Sequence, residues 1–285
     1  MGNALEEQDY ADLVKIALAE DVTLGDATSL ATIPAEKEAI ASVVARQSMT
    51  VAGIPVASYV FHRVDPALKI TRQAEDHTVV AAGDVLIKIE GSARSLLAGE
   101  RVALNFLQRL SGIATLTARF VEAVKGTRAR ILDTRKTTPG WRKLEKYAVS
   151  CGGGKNHRFG LFDMILIKDN HLAVLHGEEP NAVAAAVERA RRKFPELKVE
   201  VEADTLEQVL QAVEAGVEMI LLDNMSIEML QNAVRHVAGR CQTEASGGVN
   251  LNTVRAIAET GVDFISVGAL THSVSAADIA LDFMG

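Results

Sequence analysis

KVEVEADTLEQVLQAVEAGVEMILLD, residues 198–223, reads as a strand, a helix and a second strand. KVEVEA (198–203) and VEMILLD (217–223) are strand-like runs, and TLEQVLQAVEAG (205–216) carries a helical pattern between them. The same unit recurs on both sides. Strand-like runs stand at ARILDT (129–134), DMILIK (163–168), QTEASG (242–247) and DFISVG (263–268). Helical patterns fill NAVAAAVERARRKF (181–194), SIEMLQNAVRHV (226–237) and NLNTVRAIAETG (250–261). Strands alternating with helices predict a parallel sheet with right-handed crossovers. Six units could form a doubly wound sheet or a barrel, and the polar residues choose between them. Asp133, Thr134, Arg135 and Lys136 follow the first strand, and Lys168, Asp169 and Asn170 the second. Glu202 closes the third, Asp223 the fourth, and Ser246-Gly247-Gly248 and Gly268-Ala269-Leu270-Thr271 follow the last two. Chemistry at the C-terminal ends of successive strands is the TIM-barrel arrangement, whereas a doubly wound sheet would favour one crevice. The expectation is an α/β barrel that need not reach eight strands.

Upstream the pattern changes. Residues 7–20 have helical spacing, and DVTLGDATSLATIP (21–34) reads as a loop. ASVVARQ (41–47), LKITRQA (68–74) and DVLIKIEG (84–91) read as strands, with PVASYVFHRV (55–64) a helix. This predicts a small mixed α/β domain. Residues 95–124 predict a long helix with a break near Ser111-Gly112.

Hydrophobic residues make up 48% of the 285 and charged residues 24%, enough for a sizeable core. A net charge of −7 argues against general nucleic-acid binding. Cys151 and Cys241 stand far apart without a C-x-x-C spacing, so neither a disulfide framework nor a zinc site is expected. No apolar run reaches the roughly 18–20 residues of a membrane span. The acidic N-terminus MGNALEEQDYADL lacks the marks of a signal peptide. A soluble, cytoplasmic protein is expected.

Against this acidic background, residues 128–168 hold ten Lys/Arg and three Asp/Glu. Such a concentration suits an anion-binding cleft. Arg135 and Lys136 could grip carboxylates or phosphates, Arg through a bidentate fork and Lys as a point charge. Arg142, Lys143 and Lys146 read as a solvated helix face. In GGGKNHRFG (152–160) three glycines let the backbone approach a ligand or flex, and His157 and Arg158 read as a ligand-reading pair. Lys168 should bury its alkyl stem and meet an anionic partner or ligand, or else act as a Schiff-base lysine. His171 and His176 have surface roles, and His62 and His77 lack neighbouring ligands. Glu202 and Asp223 end consecutive strands. They could bind ribose hydroxyls, hold Mg²⁺ or stabilise a developing cation. Glu200 shares the face of Glu202, so pattern alone does not separate the two. Ser246-Gly247-Gly248 and the loop from Gly268 to Thr271-His272 lie where barrels bind phosphate.

These residues closely resemble the quinolinate phosphoribosyltransferase family over essentially the whole chain. The resemblance rests on DTRKTTPG (133–140), CGGGKNHRFGLFDMILIKDNH (151–171), VEVEAD (199–204), LLDN (221–224), ASGGV (245–249) and VGALTHS (267–273), with LGDAT (24–28) and GERVALNFLQRLSGIAT (99–115) upstream. It implies an N-terminal α/β sandwich over residues 1–112, joined by the segment 274–285 as a returning last helix. It implies an incomplete α/β barrel over 113–273. The implied reaction joins quinolinate to 5-phosphoribosyl 1-diphosphate (PRPP) with Mg²⁺, giving nicotinate mononucleotide, diphosphate and CO₂ in NAD biosynthesis. The resemblance also implies a homodimer, or higher assemblies of such dimers.

By that resemblance, Arg101 from a partner subunit, with Arg135, His157, Arg158 and Lys168, would hold the quinolinate carboxylates. Lys136 and Lys168 would meet the diphosphate, with Thr134 beside them. Ser246, Gly247, Gly248, Gly268, Ala269 and His272 would meet the 5′-phosphate side. Glu202 and Asp223 would bind the ribose and stabilise charge at C1, and Mg²⁺ would be held largely by PRPP oxygens and water. Three rivals remain from the residues alone. They are a same-fold enzyme acting on another ring carboxylate such as nicotinate, a Schiff-base aldolase using Lys168, and a phosphate-metabolite sensor.

Overall fold

The computed structural model describes residues 5–23 and 25–284. Leu24 of the LGDAT motif and the first four residues of the acidic N-terminus lie outside that range. The chain divides into two compact units. One comprises Met1–Ala118, Thr137–Gly153 and Leu270–Gly285, and the other Arg119–Lys136 and Gly154–Ala269.

In the first unit the strands are β1 (Glu38–Ala45), β2 (Met49–Thr50), β3 (Lys69–Arg72), β4 (Val79–Val80) and β5 (Val85–Ser92). β2 and β4 pair with each other. The main sheet is antiparallel, in the order Ile279–Met284, β1, β5, β3. Helix Ile54–Val64 starts where it does because Gly53 turns the chain at φ 105° and Asp76 accepts from the backbone N–H of Gly53 and Ile54, both at 2.9 Å. It buries Val56, Val60 and Phe61.

Three expectations are corrected here. The stretch read as a loop contains a short helix, Ala27–Thr32, because Asp26 caps it by accepting from Thr28 and Ser29. The long helix runs unbroken from Ala93 to Ala123. Gly112 does not break it; a Cβ there would collide with the carbonyl of Ser275, so glycine serves close approach of the C-terminal segment. That segment ends in a strand and not a helix. Six residues, IALDFM, pair antiparallel along β1 from Ala45↔Ile279 to Ile40↔Met284. A free sheet edge satisfies a short segment's backbone more readily than a costly helix nucleus.

The second unit holds β6 (Arg130–Leu132), β7 (Ile165–Ile167), β8 (Val199–Ala203), β9 (Met219–Asp223), β10 (Gln242–Ser246) and β11 (Phe264–Ser266). All pairs are parallel, in the order β6-β11-β10-β9-β8-β7. The order runs one way round and never reverses, which excludes a doubly wound sheet. The two outer strands, β6 and β7, are consecutive in the chain. In a closed barrel they would pair; here they bound a seam. Residues 154–157 line its β6 side, with Lys155 bridged to Leu132 and its N–H donating to Ile131 at 2.8 Å. Residues 154–157 of the basic stretch therefore flank this seam.

Candidate active site

The seam positions the first cations. Asp133, fully buried just past β6, accepts from Asn156 Nδ2 at 2.6 Å and from the His157 backbone N–H at 2.9 Å. This fastens the segment carrying His157 and Arg158 to the first strand. Arg135 and Arg158 are both half-buried, and burial, followed by the nearby Arg135 cation, lowers the pKa of Arg158. The Arg158 guanidinium also donates to the Met164 carbonyl at 3.1 Å. Two guanidinium groups held within reach of each other's field suit a ligand with more than one negative charge. Lys136 is exposed, and its N–H donates to Thr134 Oγ1 at 3.1 Å.

Lys168 follows β7 and meets Glu202, at the end of β8, with 2.9 Å between Nζ and Oε2. The anionic partner expected for it is therefore present, and the side chain is 46% exposed. A strand of three residues ends before it can carry Lys168 into the interior. His171, read as a surface residue, accepts from the Lys168 N–H through Nδ1 at 2.9 Å and closes the turn after β7.

The choice between Glu200 and Glu202 is a matter of depth. Both point to one face of β8, two residues apart. Glu202 stands at the rim with Lys168. Glu200 lies one layer deeper, fully buried, with its Oε2 3.0 Å from His157 Nε2. Glu244 on β10 reaches the same nitrogen at 3.4 Å. Side chains from alternate strands form such interior layers in a barrel. His157 thus turns inward, and its Nδ1 accepts from the Arg158 N–H at 2.8 Å.

At the end of β9, Asp223 accepts from Asn224 Nδ2 at 2.6 Å. Asn224 adopts φ 52°, and its own N–H donates to the Ser246 carbonyl at 2.9 Å. Gly247 follows with φ 95°; a Cβ there would collide with Asn224 Oδ1. The carboxylate after β9 and the glycine turn after β10 are thereby built together. Gly268 and Ala269 follow β11, whose next residue Val267 donates to Leu132 at 2.9 Å.

Arg101 and His272 belong to the first unit. Arg101 is exposed on the long helix, 3.9 Å from Glu100, and His272 Nδ1 lies 2.5 Å from Ser273 Oγ. Two readings of the basic stretch are corrected. Lys146 is only 4% exposed and Arg142 is half-buried with Nε donating to Thr137 Oγ1, so the helix Arg142–Cys151 does not present all three cations to solvent. Lys143 alone remains exposed, 3.6 Å from Asp9. Gly152 serves packing, because a Cβ would collide with the Ala114 carbonyl and lie 2.6 Å from Thr117 Cβ. His77 also has a neighbour, Cys151 Sγ at 3.6 Å.

Sequence reasoning passed over Asp133, Glu244, Asn224 and His171 as site residues. Glu244 had a signal: an acid in the middle of the strand QTEAS, as Glu200 is in VEVEA. Among the described residues, the cluster with metal-ligand chemistry is His157, Glu200 and Glu244. His157 Nε2 already hydrogen-bonds Glu200 and lies 3.4 Å from Glu244. A metal-bound imidazole donates from its other nitrogen, whereas Nδ1 here accepts.

Cations, carboxylates and glycine turns at the strand ends of an open α/β barrel define an enzyme acting on an anionic substrate. Comparison with known proteins narrows that class. Residues 26–111 match the family model described as quinolinate phosphoribosyl transferase, N-terminal domain, and residues 113–282 match the C-terminal domain. The chain belongs to the quinolinate phosphoribosyltransferase family. It is 46% identical to the chloroplastic nicotinate-nucleotide pyrophosphorylase [carboxylating] of Arabidopsis thaliana, over 96% of this chain and 82% of that one. With the enzyme of the same name from Mycobacterium leprae it shares 44%, over 95% and 96%. The crystal structure of NadC from Streptococcus pyogenes superposes with a TM-score of 0.93 at 40% identity, covering all of both chains.

Proposed function

We propose that the strand-end rim of the open barrel is the place where this enzyme joins its two substrates. The chain is a pentosyltransferase that transfers the phosphoribosyl group of PRPP to quinolinate with decarboxylation, giving nicotinate mononucleotide, diphosphate and CO₂. The observations that carry the location are the Arg135 and Arg158 cations in each other's field after β6, and the Lys168–Glu202 ion pair at the ends of β7 and β8. In this reading Arg135, Arg158 and Lys168 grip the two carboxylates, with His157 bracing Arg158 from below. Lys136 and Lys168 meet the diphosphate, with Thr134 shaping the turn. Ser246, Gly247, Gly248, Gly268, Ala269 and His272 take the 5′-phosphate side.

Bond making follows from the charges. Diphosphate leaves ribose C1 with its electron pair, and the pyridine nitrogen forms the new bond to C1. Positive charge develops at C1, and Glu202 and Asp223 stabilise it while binding the ribose hydroxyls. The ring nitrogen is then cationic. It accepts the electrons released when the C2–carboxylate bond breaks, C2 takes a proton, and no separate electron sink is needed.

Mg²⁺ enters as the partner of PRPP. In the chain's own three-ligand cluster the imidazole is already engaged by Glu200, which fits an ion held by diphosphate oxygens and water. A homodimer that supplies Arg101 across the interface belongs to the same proposal, as does a cytoplasmic location. Among the described residues, no helix is long and apolar enough to cross a membrane.

A coupled assay for nicotinate mononucleotide tests the proposal. Product should form from quinolinate plus PRPP, and CO₂ should not form from quinolinate alone. Turnover of nicotinate without turnover of quinolinate would overturn it. Glu202→Ala should lower kcat more than it weakens substrate binding; an unchanged kcat would remove Glu202 from the mechanism.

A further inference from the structure

Two buried acids have no part in the scheme above. Glu200 on β8 is fully buried and Glu244 on β10 is 1% exposed, and both converge on His157 Nε2. One oxygen of each, Glu200 Oε1 and Glu244 Oε2, is buried without a hydrogen bond. Two such carboxylates, both ionised and a few ångströms apart in a barrel interior, would repel each other and lack solvation. Like-charged acids in this arrangement keep a proton between them.

The imidazole shows where that proton resides. Its Nδ1 accepts the Arg158 backbone N–H at 2.8 Å and therefore carries a lone pair. Its own proton is on Nε2, facing Glu200 at 3.0 Å. Burial alone would lower the pKa of His157, but hydrogen bonds and charge from Glu200 and Glu244 outweigh it and hold it up at about 10. Burial, with the Glu244 charge, pushes Glu200 up to about 7. Taken by itself the raised imidazole would hold the extra proton on the ring, which the Arg158 N–H aimed at Nδ1 at 2.8 Å excludes. With Nδ1 committed to Arg158, that proton belongs to the carboxyl groups.

We propose that Glu200 and Glu244 are positioning residues for the quinolinate grip: they share one proton beside Nε2 of His157, hold the ring in its Nε2–H tautomer, and so leave Nδ1 to fix the backbone of Arg158. The proposal rests on the reading that Arg158 binds a substrate carboxylate. Its mechanical basis is the seam. The segment 155–158 is fastened to β6 on one side by Asp133, and the buried pair fastens it from the barrel axis. An arginine on a segment secured at one side only would swing with it.

The test has a spectroscopic and a kinetic arm. In enzyme labelled with ¹⁵N-histidine, with His157→Asn used to assign the signals, His157 should show an unprotonated Nδ1 and a protonated Nε2 across about pH 6–8. An imidazolium pattern, with both nitrogens protonated, would overturn the proposal. Glutamine mimics a protonated glutamate, so Glu200→Gln and Glu244→Gln should each preserve the tautomer and stay close to wild type in quinolinate affinity. The double glutamine variant removes the shared anion. It should raise the KM for quinolinate by about tenfold or more and leave the KM for PRPP unchanged. A double variant like wild type, or one in which both KM values rise together, would equally defeat it. If the double variant does not fold, the nitrogen signals of the wild type and the single variants decide. Quinolinate binding by calorimetry and the nitrogen signals require no turnover, so a failure of the proposed reaction and a failure of this proposal give different results.

Discussion

Gly247→Ala perturbs the place where a carboxylate and a phosphate-side turn are built as one piece. Two costs combine there. The backbone holds φ 95°, so an alanine is strained by about 1–2 kcal/mol. Its Cβ also collides with Asn224 Oδ1 and comes within 3.0 Å of the Asn224 backbone N. Asn224 cannot simply withdraw, because its N–H is bonded to Ser246 and its Nδ2 to Asp223 at 2.6 Å. Displacing the side chain forfeits a hydrogen bond to a charged group, about 1.5–3 kcal/mol. At 1.36 kcal/mol per decade, and if that bond orients Asp223 on the ribose, kcat/KM for PRPP falls by about 10–100-fold.

The control is Asn224→Gly, which removes the side chain and accepts the residue's own φ of 52° without strain. It should lose a similar factor. In the double variant the collision has nothing to displace, so kcat/KM should match Asn224→Gly alone. Steady-state kinetics with PRPP varied at saturating quinolinate, together with urea unfolding of all four proteins, measures both parts. Additive losses in kcat/KM would refute the coupling, because additivity is the behaviour of independent sites.

Arg135→Ala and Arg158→Ala should each weaken quinolinate handling by about 1.5–3 kcal/mol and PRPP binding less, measured as separate KM values. Glu145 is fully buried and accepts from Arg109 Nη2 at 2.9 Å and from the N–H and Oγ1 of Thr138 at 3.1 and 2.9 Å. Glu145→Gln must turn an NH₂ toward one of these donors, so urea unfolding should show a loss of about 2–4 kcal/mol; a loss below about 0.5 kcal/mol would contradict the assigned bonds. Burial, with the Asp76 charge, pushes the Cys151 thiol up to about 12. Native enzyme near pH 8 should therefore leave Cys151 unmodified by an alkylating reagent, and mass mapping should find label only at the half-buried Cys241.

Much of the barrel was legible because it depends on local patterns. Each strand is a short apolar run, each crossover has helical periodicity, and the polar residues at strand ends are adjacent in sequence to the runs they follow. That is enough to place Arg135, Lys168, Glu202 and Asp223 at one end of a parallel sheet. The errors have one cause. Gly112 and Gly152 looked like a helix break and a ligand cradle, and both are packing positions, since what a missing Cβ avoids lies far off in sequence. Lys146 looked solvated, but which face of a helix is covered is decided by the elements around it.

By itself the sequence determined the alternation of strands and helices, the concentration of cations at residues 128–168, and the motifs that carry the family resemblance. Only the tertiary structure decided that the sheet stays open between β6 and β7, with residues 154–157 lining the β6 side of the seam. It also separated Glu200 from Glu202. In sequence they are two equivalent positions on one face of a strand. In the folded ring one is at the rim with a lysine, and the other is enclosed with His157 and Glu244. Depth along the barrel axis depends on the curvature of the whole sheet, a property no single strand possesses.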